Sequence, residues 1–454
     1  MTSRSARWHA WSCRARSALS RRPELKAIAG NSAWLLLDKV VRLALSLTVG
    51  ALLARHLGPD QFGLFSYAIT WVMFGLGLAN LGVDAILVRD LARVPQEAPG
   101  LLGSAFVARL AAGGLCWLLA VALLYLLRPD DTRTLQLVAI LGAGLVLQSA
   151  ETVDVWFQSQ SQNRRTVRAK LLVYVLTNAL RVAMIAADAP LWVFAMANVL
   201  DALLLAVLLA LAYRGFPAQQ PWQASLKRAR LLVTESWPFM ISGLAVLIYM
   251  RVDQIMVREL LDTHALGQYA AVTTLSQVWN VIPVTLCAAL APFLARRREQ
   301  GEHAYLEALF QVFRVFAALG LLAVLLTVLL ADVLVGWLYG AAYLPAVPAL
   351  RVHVISNLFI FLGVAQGLWL INEGMGRVTL YRTALGAMVS VAGNLCLVPA
   401  WGLVGAALST SCAMAVAGVL SNAIWAPSIL RLQALACLPW VSAHAALSDD
   451  RALP

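Results

Sequence analysis

The chain has 454 residues, 61% of them hydrophobic and only 13% charged, with a mean hydropathy of +0.76. Soluble domains are roughly half apolar, so this composition excludes a water-solvated fold and makes lipid the solvent. The net charge of +12 sits in short clusters between apolar stretches rather than along one stripe, which excludes a nucleic-acid groove and fits anionic headgroups.

Residues 1–30 are expected to form a basic cytoplasmic arm, rich in Arg and Ser and held by the anionic leaflet. The arm formally resembles an organellar transit peptide but lacks the apolar core of a secretory signal. Six apolar spans follow within residues 31–213, at about 31–54, 62–83, 101–127, 134–157, 171–187 and 191–213. Each is long enough to cross a hydrocarbon core about 30 Å thick at 1.5 Å per residue. Residues 214–235 are polar and basic and read as a cytoplasmic linker between two lobes. Six further spans occupy 236–425, at about 237–257, 266–294, 308–330, 349–371, 378–398 and 401–425, and residues 426–454 read as a cytoplasmic tail. The prediction is an all-α integral membrane protein of about twelve transmembrane helices in two six-helix lobes.

Alternate connections retain Lys and Arg, among them Arg21, Arg22 and Lys26, Arg164, Arg165, Arg168 and Lys170, and Arg296, Arg297 and Arg298. Positive charge marks the cytoplasmic side, so both termini are expected there. The halves also echo each other: ARHLGPDQFGLFSYA from Ala54 answers VRELLDTHALGQYAA from Val257, aligning Arg55 with Arg258 and Gly63 with Gly267 after one inserted residue. Repeated halves are how many carriers build two bundles that rock about a central site.

Charge inside the spans is the main functional signal. A charged residue at mid-bilayer costs about 2.5 to 3.5 kcal/mol on insertion scales, so such residues face a protein interior. In the first span Asp38 and Arg42 lie one turn apart and can pair, with Lys39 beside them. Asp201 sits near the middle of the sixth span, one turn after Asn198, and is expected to be protonated, paired or ion-bound. Asp84, Glu151 and Asp154 lie nearer span ends, where an interfacial role has equal weight. Arg109, Arg181, Arg251, Arg314 and Arg382 also interrupt apolar runs; Arg314 and Arg382 are near enough to helix ends to snorkel. Converging guanidinium groups would suit a phosphate-bearing substrate. Gly75, Gly77 and Gly82 serve either bending or close packing, whereas Pro283 and Pro292 favour a kink.

No GxxxxGK[ST], HExxH or CxxC pattern occurs, the six cysteines are scattered, and the acid pairs Asp130/Asp131 and Asp449/Asp450 lack a supporting soluble domain. No cofactor is expected beyond a coupling proton or sodium, and an enzyme is the weaker class. The block NSAWLLLDKVVRLALSLTVGALLARHLGPDQFGLFSYA with LGVDAILVRDLAR, and later YMRVDQIMV, LGQYAAVTTLSQVWNVIP, APFLARR, YLPAVPALRV and GNLCLVPAWGLVGAALST, resemble the polysaccharide biosynthesis (O-antigen flippase) family of the multidrug/oligosaccharidyl-lipid/polysaccharide exporter superfamily. The resemblance implies a V-shaped cavity between lobes and, as substrate, a polyprenyl-diphosphate-linked oligosaccharide turned from the inner to the outer leaflet of a bacterial inner membrane. Arg42, Arg109, Arg181, Arg251 and Arg314 are then candidates to neutralise phosphate; Asp38, Asp201 and Asp253 are candidates to pair them or carry the coupling ion. Membrane lipids and other polysaccharide-assembly proteins are the expected partners, with nucleic acid excluded. A drug exporter of the same superfamily, or a membrane glycosyltransferase or polymerase acting on the same lipid, is the alternative.

Overall fold

The computed structural model describes residues 3–160, 162–216, 221–438 and 440–441, without the side chains of 3–38 and 40. The expected Asp38–Arg42 pairing and the side chains of the basic arm therefore lie outside the described residues. Every regular element described is helical, as a lipid setting demands, because a helix satisfies its own backbone groups where no water can. The N-lobe comprises α1 (Ser3–Ala79), α2 (Asp84–Arg93), α3 (Ala98–Leu127), α4 (Thr132–Leu147), α5 (Thr152–Ser159), α6 (Asn163–Ala186) and α7 (Leu191–Arg214). The C-lobe comprises α8 (Leu226–Leu260), α9 (Thr263–Gln277), α10 (Val281–Glu299), α11 (Glu302–Leu338), α12 (Val347–His353), α13 (Ser356–Asn372), α14 (Gly376–Ala415), α15 (Asn422–Trp425) and α16 (Pro427–Ala436).

Among the described residues nine helical stretches are long and apolar enough to span a bilayer, and ten if Ala341–His353 and Ser356–Asn372, bent by 41°, form one broken span. Two of the nine, Val41–Arg93 and Gly376–Trp425, run 53 and 50 residues, far beyond the about 20 that a bilayer needs. Each is broken by a glycine with positive φ, Gly58 at 67° and Gly402 at 57°. Leu43 and Ser46 before Gly58 line the same cavity as Ser66 and Thr70 after it, so α1 doubles back there. Across Gly402, Ser409 Oγ donates to the Ser390 carbonyl at 2.9 Å, although a straight helix would hold them roughly 28 Å apart. Counting each arm separately, and the bent pair as one span, gives twelve passes among the described residues, as expected from the sequence.

Burial is inverted relative to a soluble protein. Leu118, Leu126, Leu329, Val333 and Trp337 are exposed on the outer belt, while Thr134, Gln366, Ser390 and Asn394 are fully buried. Apolar side chains gain little by choosing protein over lipid, so close packing and internal hydrogen bonds hold the bundle. Two aligned glycines show this. A Cβ on Gly63 would lie 2.0 Å from the Thr263 carbonyl oxygen, and one on Gly267 would lie 1.8 Å from that of Pro59. Each glycine thus meets the carbonyl four residues before its counterpart, the contact expected of a two-fold related pair.

The lobes are further tied at this same end. Arg258 on α8 bonds Asp131, donates to Thr134 Oγ1 at 3.0 Å and lies 3.9 Å over the Tyr67 ring. Glu259 accepts from Arg128 and Tyr67, both at 2.6 Å. Tyr343 Oη donates to the Ala54 carbonyl at 2.6 Å. Burial alone would raise the Asp131 pKa, but the Thr134 hydroxyl and amide and the Arg258 guanidinium outweigh it and hold this carboxyl below its ordinary value.

Some boundaries differ from expectation. The seventh span starts at Leu226, not near 237, because Ala229 and Leu232 are buried on a helical face, Leu232 among N-lobe residues, that the neighbouring basic residues obscure. Its start is fixed by Arg228–Glu97 at 3.1 Å, Arg89–Glu235 at 3.3 Å and the Ser225 amide on Ser104 Oγ at 3.0 Å. The eighth span breaks in a short 3-10 turn, Val278–Asn280, just before Pro283, whose ring crowds the preceding turn. Gly75 packs on Leu145 and Gly77 on Leu247, whereas Gly82 turns the chain at φ 64°. The tail is helical over α16 and is secured by buried amides: Asn422 joins Gln366 and Gln433, the last at 2.8 Å.

Candidate functional site: a cationic cavity between the lobes

A cavity of about 420 Å³ lies between the lobes. From the N-lobe it takes both arms of α1, Tyr174, Asn178 and Arg181 of α6, and Asn198 of α7; from the C-lobe, Arg251 and Gln254 of α8, Thr274 and Gln277 of α9, and Tyr339. The two α1 arms bring apolar and hydroxyl side chains, Leu47, Leu53, Phe65, Ser46, Ser66 and Thr70, because a doubled-back helix pair presents two faces to one space. Thr70 Oγ1 donates to Gln254 Oε1 at 2.8 Å, joining the lobes beside the cavity.

Two of the predicted arginines meet here, one from each lobe. Arg181 donates to the amide oxygens of Asn198 at 3.2 Å and Asn178 at 3.4 Å, which orient the guanidinium without neutralising it. Arg251 makes no hydrogen bond to a described residue, and no carboxylate is among the described lining residues. An excess of positive charge with unfilled N–H donors, in a partly dehydrated space, has the chemistry to receive an oxyanion with two charged centres.

The other predicted residues lie elsewhere. Arg42 is one position before the lining residue Leu43, with its guanidinium 4.8 Å over the Tyr174 ring and its carbonyl accepting from Tyr174 Oη at 3.2 Å. Arg109 is buried inside the N-lobe in an ion pair with Asp84, and Arg314 lies 4.9 Å over the Phe310 ring within the C-lobe. Neither lines the central cavity, because each points into its own lobe, a rotation about the helix axis that sequence position does not encode. Asp201 accepts from Thr177 Oγ1 at 2.6 Å, behind Arg181. Asp253 is fully enclosed in the C-lobe, accepting from Tyr269 Oη at 2.7 Å, Thr410 Oγ1 at 3.1 Å and the Gln254 amide at 2.8 Å. Near it His353 stands 2.9 Å from Ser276 Oγ and edge-on to Tyr269. Tyr174, Asn178, Gln254 and Gln277 are site residues that sequence reasoning missed; uncharged polar residues are common in membrane helices, and only Gln254, in YMRVDQIMV, and Gln277, in LGQYAAVTTLSQVWNVIP, stood in a motif.

The family model described as "Polysaccharide biosynthesis protein" matches residues 28–298, more than half of the chain. No curated protein matches the sequence. Among solved structures, a multidrug resistance MATE family transporter of the MOP superfamily in an inward-facing conformation superposes with a TM-score of 0.70 at 15% identity, covering 87% of this chain and 99% of that one. The lipid II flippase MurJ in an inward closed conformation gives 0.66 at 12% identity, covering 89% and 90%. An outward-facing MATE family transporter gives 0.59 at 16% identity, covering 87% and 96%. These likenesses establish the two-lobed fold, and the extent of the family match establishes that the chain belongs to the polysaccharide biosynthesis protein family.

Proposed function

We propose that this protein carries a polyprenyl-diphosphate-linked oligosaccharide from the inner to the outer leaflet of the cytoplasmic membrane by alternating access. The observation that carries the reading is the pair Arg181 and Arg251, set on opposite lobes of one cavity with no acid among its described lining residues. A diphosphate between them is held by both lobes at once, so its binding favours lobe closure by its differential affinity for that state. The hydroxyl and amide lining, Ser46, Ser66, Thr70, Asn178, Gln254 and Gln277, suits sugar hydroxyls, and the lipid tail remains in the bilayer outside the lobes. In this reading both termini are cytoplasmic, and the tied end of the lobes faces outward. A transporter is favoured over a glycosyltransferase or polymerase because the described lining residues of the cavity offer no carboxylate or histidine to a glycosyl transfer. A cation exporter is disfavoured by the same lack of acids. Coupling to a proton or sodium falls to the partly buried Asp201 and the enclosed Asp253.

The test is transfer of a fluorescent lipid-linked oligosaccharide across proteoliposome leaflets. Arg181→Ala and Arg251→Ala, at matched protein levels, are expected to abolish transfer; undiminished transfer in both would overturn the proposal.

A further inference from the structure

A second cavity, of about 240 Å³, lies inside the N-lobe between the second arm of α1, α4 with its 3-10 turn Gln148–Glu151, and α7. Its polar lining is Gln148, Glu151, Asn198 and Asp201; the rest is aliphatic, including Leu76, Leu141 and Leu205. Ile69, Met73 and Asn198 line both cavities. One layer of side chains therefore separates two carboxylates from the space that holds Arg181.

The charges around these carboxylates are mostly committed elsewhere. Lys170 of α6 pairs with Asp154 of α5 at 2.7 Å, and Arg109 of α3 pairs with Asp84 of α2; all four act on Glu151 only at longer range. Asp201 faces Thr177 and Arg181 on α6, with Glu151 in the same pocket. Neither α4 nor the second arm of α1 contributes an ionisable side chain to the pocket. Among the described residues, no Lys or Arg is within ion-pairing distance of Glu151 or Asp201. A carboxylate at membrane depth is retained only where something neutralises it. The polar lining is two carboxylates and two amides, with no cluster of three or more metal-holding side chains among the described residues, and a proton neutralises such a carboxylate without needing a coordination shell.

We infer that Glu151 and Asp201 form a proton-binding pocket of the N-lobe whose occupancy is positively linked to diphosphate binding at Arg181. The inference rests on the phosphate-binding reading of the central cavity. A diphosphate at Arg181 places negative charge next to the Asp201 carboxylate, and uptake of one proton from bulk water, converting carboxylate to carboxylic acid, relieves that repulsion. Reciprocally, protonated Asp201 no longer competes for the guanidinium, so each ligand raises the affinity of the other.

Calorimetric titration of the purified full chain in detergent with geranyl diphosphate tests this, in buffers of differing ionisation enthalpy and at a pH above the probe's own titration. Wild type is expected to take up a proton per ligand, with affinity falling up to about tenfold per pH unit. Asp201→Asn, which mimics the protonated state, is expected to bind with a flat pH profile and no uptake, and Glu151→Gln to reduce the uptake. Wild-type binding without proton uptake, a sodium requirement in its place, or unchanged uptake in both variants overturns the inference while leaving the central cavity's role intact. Absence of any wild-type binding, or binding that survives Arg181→Ala with Arg251→Ala, overturns the phosphate reading itself.

Discussion

Arg181 and Arg251 are both guanidinium groups, yet their surroundings differ in what a lysine could replace. Arg181 is aimed by two amide oxygens, and a lysine there keeps the charge but loses the fork that engages two phosphate oxygens. Arg181→Lys is expected to lower affinity for a prenyl diphosphate by roughly 10- to 100-fold, corresponding to about 1.5 to 3 kcal/mol for a charged hydrogen bond, as read by titration. At the tied end, Asp131 has its pKa depressed by Thr134 and Arg258. A depressed carboxyl favours the closed arrangement above its ordinary range, and that contribution is lost as pH falls through the depressed value. Spin-label distances between the lobes at that end should therefore lengthen on acidification from about pH 7 toward pH 3, and Asp131→Asn should lengthen them at all pH values. The central arginines were legible because an Arg deep in an apolar span has to face protein or water. The same signal flagged Arg109 and Arg314, and their inward faces show its limit: depth is written in the sequence, but the direction a helix turns its side chains is set by neighbours.

At the level of elements, the repeated segment was the most informative feature of the sequence. Gly63 and Gly267, matched there by alignment alone, meet across the lobe boundary with no room for a methyl group. Gly63→Ala and Gly267→Ala are each expected to force the α1 and α9 backbones apart, at about 1–3 kcal/mol. The readout is a lower midpoint in thermal unfolding together with weakened closure in the spin-label measurement. Spans were legible because apolar length has one meaning in lipid. The start of α8 was not, since Lys227, Arg228 and Arg230 hide the buried Ala229 and Leu232. The break in α4 was also hidden: the run from Gln148 to Glu151 has no Pro or Gly to announce a 3-10 turn, and only packing around the side pocket reveals it.

For the whole molecule, the ion pairs Arg258–Asp131 and Arg128–Glu259 join the lobes at one end, while both cavities lie deeper. Arg258→Ala is expected to shift the population toward separation at that end, seen as faster modification of Thr274→Cys by a membrane-impermeant thiol reagent added from outside. Unchanged modification would mean that the glycine contact alone sets the state. The amides linking α16 to the rest have a consequence for biogenesis. Gln366 and Asn422 leave the ribosome before Gln433, which completes their bonding, so a later-synthesised helix finishes this part of the interior. A chain ending at Pro427 should reach the bilayer with all its passes, yet carry unmet buried amides worth about 1–3 kcal/mol apiece. Such a product is a natural target for membrane quality control, and its steady-state abundance, more than its insertion, should fall.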